Sequence, residues 1–155
     1  MDKTSGEYHF TQLDTVIFGA GKVEALGREL SRRGAKRALI VTGKTLGRSK
    51  LLDKVKTAAG PALAGVFAGA AQHVPSKTVA ELVAEARRVE ADAMISFGGG
   101  SPIDTAKVAA ASILTGRDAG AGARHQWEFP LLRRAGKRAG IFAREFCWRR
   151  QCAGR

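Results

Sequence analysis

Between residues 15 and 116, short apolar runs of strand length alternate with amphipathic stretches of helix length, and this alternation confines the chain to few architectures. Residues 15–18 (TVIF), 38–42 (ALIVT), 63–68 (LAGVFA) and 93–97 (AMISF) have the length and side chains of strands. The unbroken apolar run at 38–42 predicts burial on both faces, as in a parallel sheet. Between these runs the apolar positions take up a helical period. Val23, Leu26 and Leu30 form one stripe, ending near Gly34, and Leu51, Leu52, Val55 and Ala58 form a second, stopped by Gly60-Pro61. After Pro75, Val79, Leu82, Val83, Ala86 and Val89 face one way while Glu81, Glu85, Arg87 and Arg88 face the other. A last helix is expected over 103–114, closed by Gly116. Strand and helix in alternation mean βαβ units, so the expected class is α/β, a parallel sheet with flanking helices.

In open sheets of this kind ligands sit at the carboxyl ends of the strands. The turns after residues 18, 42, 68 and 97 are therefore the places to look. The turn after 97 carries Gly98, Gly99 and Gly100, where the backbone can approach a ligand closely. Ser101 is expected as the helix N-cap, Pro102 at the first helical position and Asp104 at the third, an arrangement like a capping box. A glycine loop feeding a helix N-terminus presents free amides and the positive dipole end to a phosphate. Chemistry alone leaves two readings open there, a phosphate-bearing ligand or simply a tight turn.

The other turns say less. Gly19-Ala20-Gly21 begins like a dinucleotide fingerprint, but Glu24 occupies the third glycine position, so it reads better as a plain strand-to-helix turn. Gly43-Lys44-Thr45 resembles the end of a P-loop, yet Ala38 stands where that motif needs its first glycine, and 38–42 is strand. Gly43 and Lys44 nonetheless fall at the end of the second strand, where such a fold meets the adenosine ribose. An acidic residue there would bind ribose hydroxyls and repel a 2′-phosphate. None is present, and Lys44 either pairs with that phosphate or simply stands in solvent. His9, His73 and His125 are too scattered for a metal-ligand pattern and are expected on the surface or in loops. Nothing resembles a Ser–His–Asp or Cys–His arrangement.

Composition bounds the rest. A chain of 155 residues with 45% hydrophobic content has room for one domain with its own core. No run of eighteen apolar residues exists, and residues 1–10 lack the basic-then-apolar order of a signal peptide, so a soluble cytoplasmic protein without membrane attachment is expected. Cys147 and Cys152 fit neither a zinc knuckle nor a redox pair and are taken as incidental. The net charge of +12 raises the question of nucleic acid. Yet residues 117–155 hold ten Lys/Arg against three Asp/Glu, so most of the excess sits in the last quarter. There Arg124, Arg133, Arg134, Arg138, Arg144, Arg149 and Arg150 are scattered among Ala and Gly without helical or strand period, together with Trp127 and Trp148. Basic residues with interleaved aromatics can bind single-stranded nucleic acid. The plainer expectation is a poorly ordered basic tail foreign to the domain.

Three stretches carry a family resemblance: FGAGKVEALG at 18–27, RALIVTGKTL at 37–46 and, most specifically, SFGGGSPIDTAK at 96–107. Together they make residues 16–114 resemble the N-terminal nucleotide-binding domain of the iron-containing (group III) alcohol dehydrogenases. The piece GVFAGAAQHVPSKTV at 65–79 is similar to the maleylacetate reductase branch. That branch differs in its glycine loop from the Asp-Thr-Ala-Lys at 104–107, which leaves the branch open. Dehydroquinate synthases and glycerol dehydrogenases share the fold and a similar loop, but Ser101-Pro102-Ile103-Asp104 and the match over 18–46 favour the alcohol dehydrogenases.

The resemblance implies a Rossmann-like, incomplete α/β domain over 1–116, binding NAD or NADP, with the cofactor pyrophosphate on Gly98, Gly99, Gly100 and Ser101 and with Asp104 nearby. Gly43 and Lys44 would then tolerate or favour NADP. Many relatives carry Asn-Pro where this chain has Val74-Pro75. The implied reaction is hydride transfer between a nicotinamide and a small alcohol or carbonyl, aided by Fe2+ or Zn2+ on a helical C-terminal domain. The family's PTTxGTGSE segment and its metal ligands are absent from this chain. From about Gly120 onward the chain is expected to match nothing in the family, and its Arg/Ala/Gly bias resembles an out-of-frame reading of a GC-rich gene. The expectation is therefore a truncated form, inactive alone, its catalytic residues unassigned, for which an oligomer is possible. The alternatives are a non-catalytic nucleotide-binding fragment and, less favoured, a nucleic-acid binder acting through the tail.

Overall fold

A computed structural model of the chain describes residues 17–116 and 140–142. Four helices and four strands follow in the order α1 (Leu26–Arg32), β1 (Ala38–Thr42), α2 (Lys50–Ala59), β2 (Leu63–Phe67), α3 (Ser76–Arg88), β3 (Ala93–Phe97), α4 (Gly100–Thr115) and β4 (Gly140–Phe142). The strands form one sheet in the order β2-β1-β3-β4, and every neighbouring pair is parallel. This is the Rossmann-like arrangement expected from the alternation.

Burial explains why each run chose its state. All five residues of β1 are buried, as a central strand covered on both faces requires. Its side chains alternate between two cores. Leu39 and Val41 join Met94 against Val79, Leu82 and Ala86 of α3 and Ala106, Ala109 and Ala110 of α4. Ala38 and Ile40 join Ala93 and Ile95 against Leu30 of α1 and Leu52, Val55 and Ala59 of α2. The sheet thus carries α3 and α4 on one face and α1 and α2 on the other. Leu30, Leu39, Ile40 and Leu82 are among the fully buried side chains, each worth about 1.5–3 kcal/mol relative to exposure. In α3 the outward Glu85 and Arg88 pair at 2.7 Å, one turn apart.

Asp92 anchors the entry of the sheet. Its carboxylate accepts hydrogen bonds from the amides of Lys36 (2.8 Å) and Arg37 (2.9 Å), just before β1. Its own amide donates to the Arg37 carbonyl at 3.0 Å. The Arg37 guanidinium reaches the Val89 carbonyl at 2.8 Å, so the α3–β3 turn is tied to the start of β1.

Two expectations need correction. Ile17 and Phe18 are not in a strand, and Phe18 is 85% exposed; residues 15 and 16 lie outside those described. Gly19 (φ 123°) and Gly21 (φ 74°) turn the chain at once into a 3-10 turn at Lys22–Ala25, and the sheet order leaves no place for this run beside β1 or β3. The sheet's fourth strand is instead Gly140–Phe142, beyond the last predicted helix, pairing in register with Ala93–Ile95 of β3. The rest of 117–155, including Cys147, Cys152, Trp127, Trp148 and His125, lies outside the described residues, as does His9. Among the described residues no helix is long and apolar enough to cross a membrane.

Candidate cofactor site

The sheet order fixes where a ligand can enter. The chain leaves β1 toward β2 on one side, then crosses back to β3 on the other, so the connections diverge between β1 and β3. A crevice opens at such a switch point, outside the carboxyl ends of the two strands. Thr42 and Phe97, the last residues of β1 and β3, are partners in register. The loops that follow them, Gly43-Lys44 and Gly98-Gly99-Gly100, therefore flank the crevice side by side. The two groups of residues singled out in the sequence, separated by more than fifty positions, meet here.

The glycine turn differs from the predicted one in its cap. Helix α4 begins at Gly100, with Gly99 as its N-cap, rather than at Ser101. Gly98 is the cause. Its φ of 140° bends the chain directly after β3, so helical geometry starts earlier than the side chains suggest. Ser101 and Pro102 become the second and third helical residues, and Asp104 the fifth. Pro102 still lies in the first turn, where its missing N–H costs nothing. Neither the Ser101 hydroxyl nor the Asp104 carboxylate makes a hydrogen bond among the described residues, so no capping box forms. Asp104 is exposed, and its Oδ2 lies 3.9 Å from where a Cβ on Gly100 would stand.

The three glycines have unequal reasons to be glycine. At Gly98 a side chain would be strained by φ and would meet Pro102 Cγ at 3.1 Å and Leu46 Cδ1 at 3.3 Å. Gly99 has φ −88°, open to any residue, and a Cβ there would meet nothing within 4 Å. Among the described residues the packing gives no reason for glycine at 99, whereas a ligand lying on the backbone would. The first-turn amides of Gly100 and Ser101 have no intrahelical acceptor, so the loop offers N–H donors at the positive end of a 16-residue helix.

Three buried hydroxyls support this loop from beneath. Thr42 Oγ1 donates to the Phe97 carbonyl at 2.7 Å, immediately before Gly98. Thr105 Oγ1 donates to the Ser101 carbonyl at 2.7 Å, and Ser96 Oγ more weakly to that of Pro102 at 3.4 Å. The Thr42 carbonyl accepts the amide of Ala70 at 3.0 Å, bringing in the loop after β2 as well. Sequence reading passed over all three hydroxyls. Thr42 and Ser96 are polar residues inside otherwise apolar strands, and that interruption was the available signal.

Beyond Gly43, Leu46–Arg48 forms a 3-10 turn whose Leu46 side chain packs on the glycine turn. Lys44 is exposed and forms no ion pair among the described residues. His73 is exposed, as expected. It and Val74 have φ of 60° and 46°, a left-handed region in which Asn is far better tolerated than a β-branched residue. The backbone at Val74 thus suits the Asn-Pro that the family resemblance implies better than the valine present. Among the described residues no cluster of three or more His, Cys, Asp or Glu side chains could hold a metal ion. The described residues do not fit an iron site.

Known proteins share this arrangement. The chain is 37% identical over 95 residues to a maleylacetate reductase from Pseudomonas sp. (strain P51), a match covering 61% of this chain and 26% of that protein. It is 42% identical over 98 residues to the lactaldehyde reductase of Escherichia coli (strain K12), covering 61% and 25%. The crystal structure of an iron-containing alcohol dehydrogenase from Corynebacterium glutamicum superposes with a TM-score of 0.60 at 30% identity, over 70% of this chain and 30% of that one. The chain thus spans about a quarter of the length of the curated relatives it matches. The model of the iron-containing alcohol dehydrogenases matches residues 14–149, which corrects the expectation that the chain from about Gly120 onward matches nothing in the family and is foreign to the domain. With more than half of its length matched, the chain belongs to the iron-containing alcohol dehydrogenase family.

Proposed function

We propose that this chain is the nucleotide-binding part of an NAD(P)-dependent oxidoreductase that moves a hydride between a nicotinamide and a small alcohol or carbonyl. The observation that carries the proposal is Gly99, whose glycine no contact among the described residues requires, at the mouth of the β1/β3 crevice. The dinucleotide's pyrophosphate would lie against Gly98, Gly99, Gly100 and Ser101, held by first-turn amides. The adenosine ribose would lie toward Gly43 and Lys44. With no carboxylate at 43–45 to repel a 2′-phosphate, and an ammonium at Lys44 that forms no ion pair among the described residues, NADP is the favoured form. Asp104, exposed one turn into α4, would border the site without contributing a cap.

The nicotinamide supplies the hydride chemistry when bound; this chain's share is to hold and orient the cofactor. Because the described residues offer no metal ligand set, the chain by itself is proposed to bind cofactor without turning it over. The test is a calorimetric titration of the purified 155-residue chain with NADPH and with NADH, with and without a chelator, beside an assay with Fe2+ or Zn2+. Chelator-insensitive binding, tighter for NADPH, and no turnover are expected. Absence of binding by a folded chain would overturn the cofactor assignment, and metal-dependent turnover would overturn the limit placed on its activity.

A further inference from the structure

We infer that Thr42 is the positioning residue of the cofactor loop, a latch that sets the glycine turn without touching the ligand. This rests on the proposed cofactor site and adds to it a residue that no glycine motif contains. Thr42 is wholly buried at the end of β1 and joins three loops. Its hydroxyl donates to the Phe97 carbonyl, its carbonyl accepts from the Ala70 amide, and its methyl carbon would lie 3.6 Å from a Cβ on Gly47.

The Phe97 carbonyl is the last acceptor before the chain bends at Gly98, where φ reaches 140°. A peptide unit is rigid, so fixing the Phe97 carbonyl fixes the orientation of the Gly98 amide on the same plane. From there the turn runs directly into the first-turn amides of α4. Without the hydroxyl, the carbonyl loses its buried partner and can rotate toward water, and the amides behind it lose their common aim. The hydroxyl therefore acts on affinity through loop geometry. Its loss should weaken NADPH and NADH by the same factor, because its hydrogen bond aims the loop that would hold the pyrophosphate common to both.

The test compares Thr42→Val, which keeps the shape and removes the donor, with Thr42→Ser, which keeps the donor. Thr42→Ala serves as the donor-free variant should the valine fail to fold. In calorimetric titrations of the full chain, the donor-free variant should bind both cofactors about tenfold more weakly, and serine should restore binding. Without cofactor, the backbone amide chemical shifts of Gly98–Ser101 in NMR spectra should move in the donor-free variant and stay near wild type in the serine variant. A folded donor-free variant with wild-type affinity would overturn the inference, as would unequal loss for the two cofactors, which would mark a direct contact. If the wild type itself bound neither cofactor, the proposed function would fail, while the chemical-shift comparison would still decide the latch.

Discussion

Gly98 and Gly99 are adjacent, yet substituting them should have opposite consequences. Alanine at 98 meets a φ of 140° and neighbours at 3.1 and 3.3 Å, so Gly98→Ala should lower stability by about 1–3 kcal/mol in urea denaturation. Gly99→Ala has an ordinary φ and open space, so its stability should stay within about 0.5 kcal/mol of wild type while NADPH binding weakens. The reverse order of stabilities would mean that the turn is not built as described. Lys44 sits at the other end of the same crevice. Because it has no partner of its own among the described residues, Lys44→Ala should leave melting unchanged and cut NADPH affinity about tenfold, with little change for NADH. Equal loss of both cofactors would show that Lys44 does not read the 2′-phosphate.

Among the elements, α3 and the turn behind it give two further expectations. Hydrogen bonding from Arg88, opposed by partial desolvation and aided by its charge, holds the Glu85 carboxyl below its ordinary range. A carboxyl lowered in the folded state contributes stability that is present above its unfolded value and is lost as pH falls through the folded one. The melting difference between wild type and Glu85→Gln should therefore be largest near neutrality and vanish in acid; a difference that grew on acidification would contradict the pairing. Asp92→Ala removes the acceptor of two amides at the entry to β1, and should cost about 1 kcal/mol in denaturant titration. The elements themselves were legible in the sequence because β1 and β3 are short apolar runs and the flanking helices carry a clean period, and burial follows both. The caps were not. Ser101-Pro102-Ile103-Asp104 has capping chemistry, but the left-handed bend at Gly98 starts the helix earlier, a backbone effect that side chains do not announce. Ile17 and Phe18 show the opposite failure, since strand composition does not supply a strand neighbour.

Over the whole molecule, the switch point is the feature that local reading could not reach. Each glycine turn was ambiguous by itself, and only the order β2-β1-β3 places the ends of β1 and β3, and hence both loops, beside one crevice. Strand β4 escaped notice because its three residues lie in a stretch without period. The central claim, that this crevice holds a dinucleotide by its pyrophosphate on the 98–101 loop, is tested most directly by one comparison. Calorimetric titration of NADPH into the full chain and into Gly99→Asp places a carboxylate where the phosphates would lie, at a position with room for it. The account predicts binding by the wild type and none by a variant that melts at the same temperature. Undiminished binding by the folded variant would contradict it and move the phosphates elsewhere.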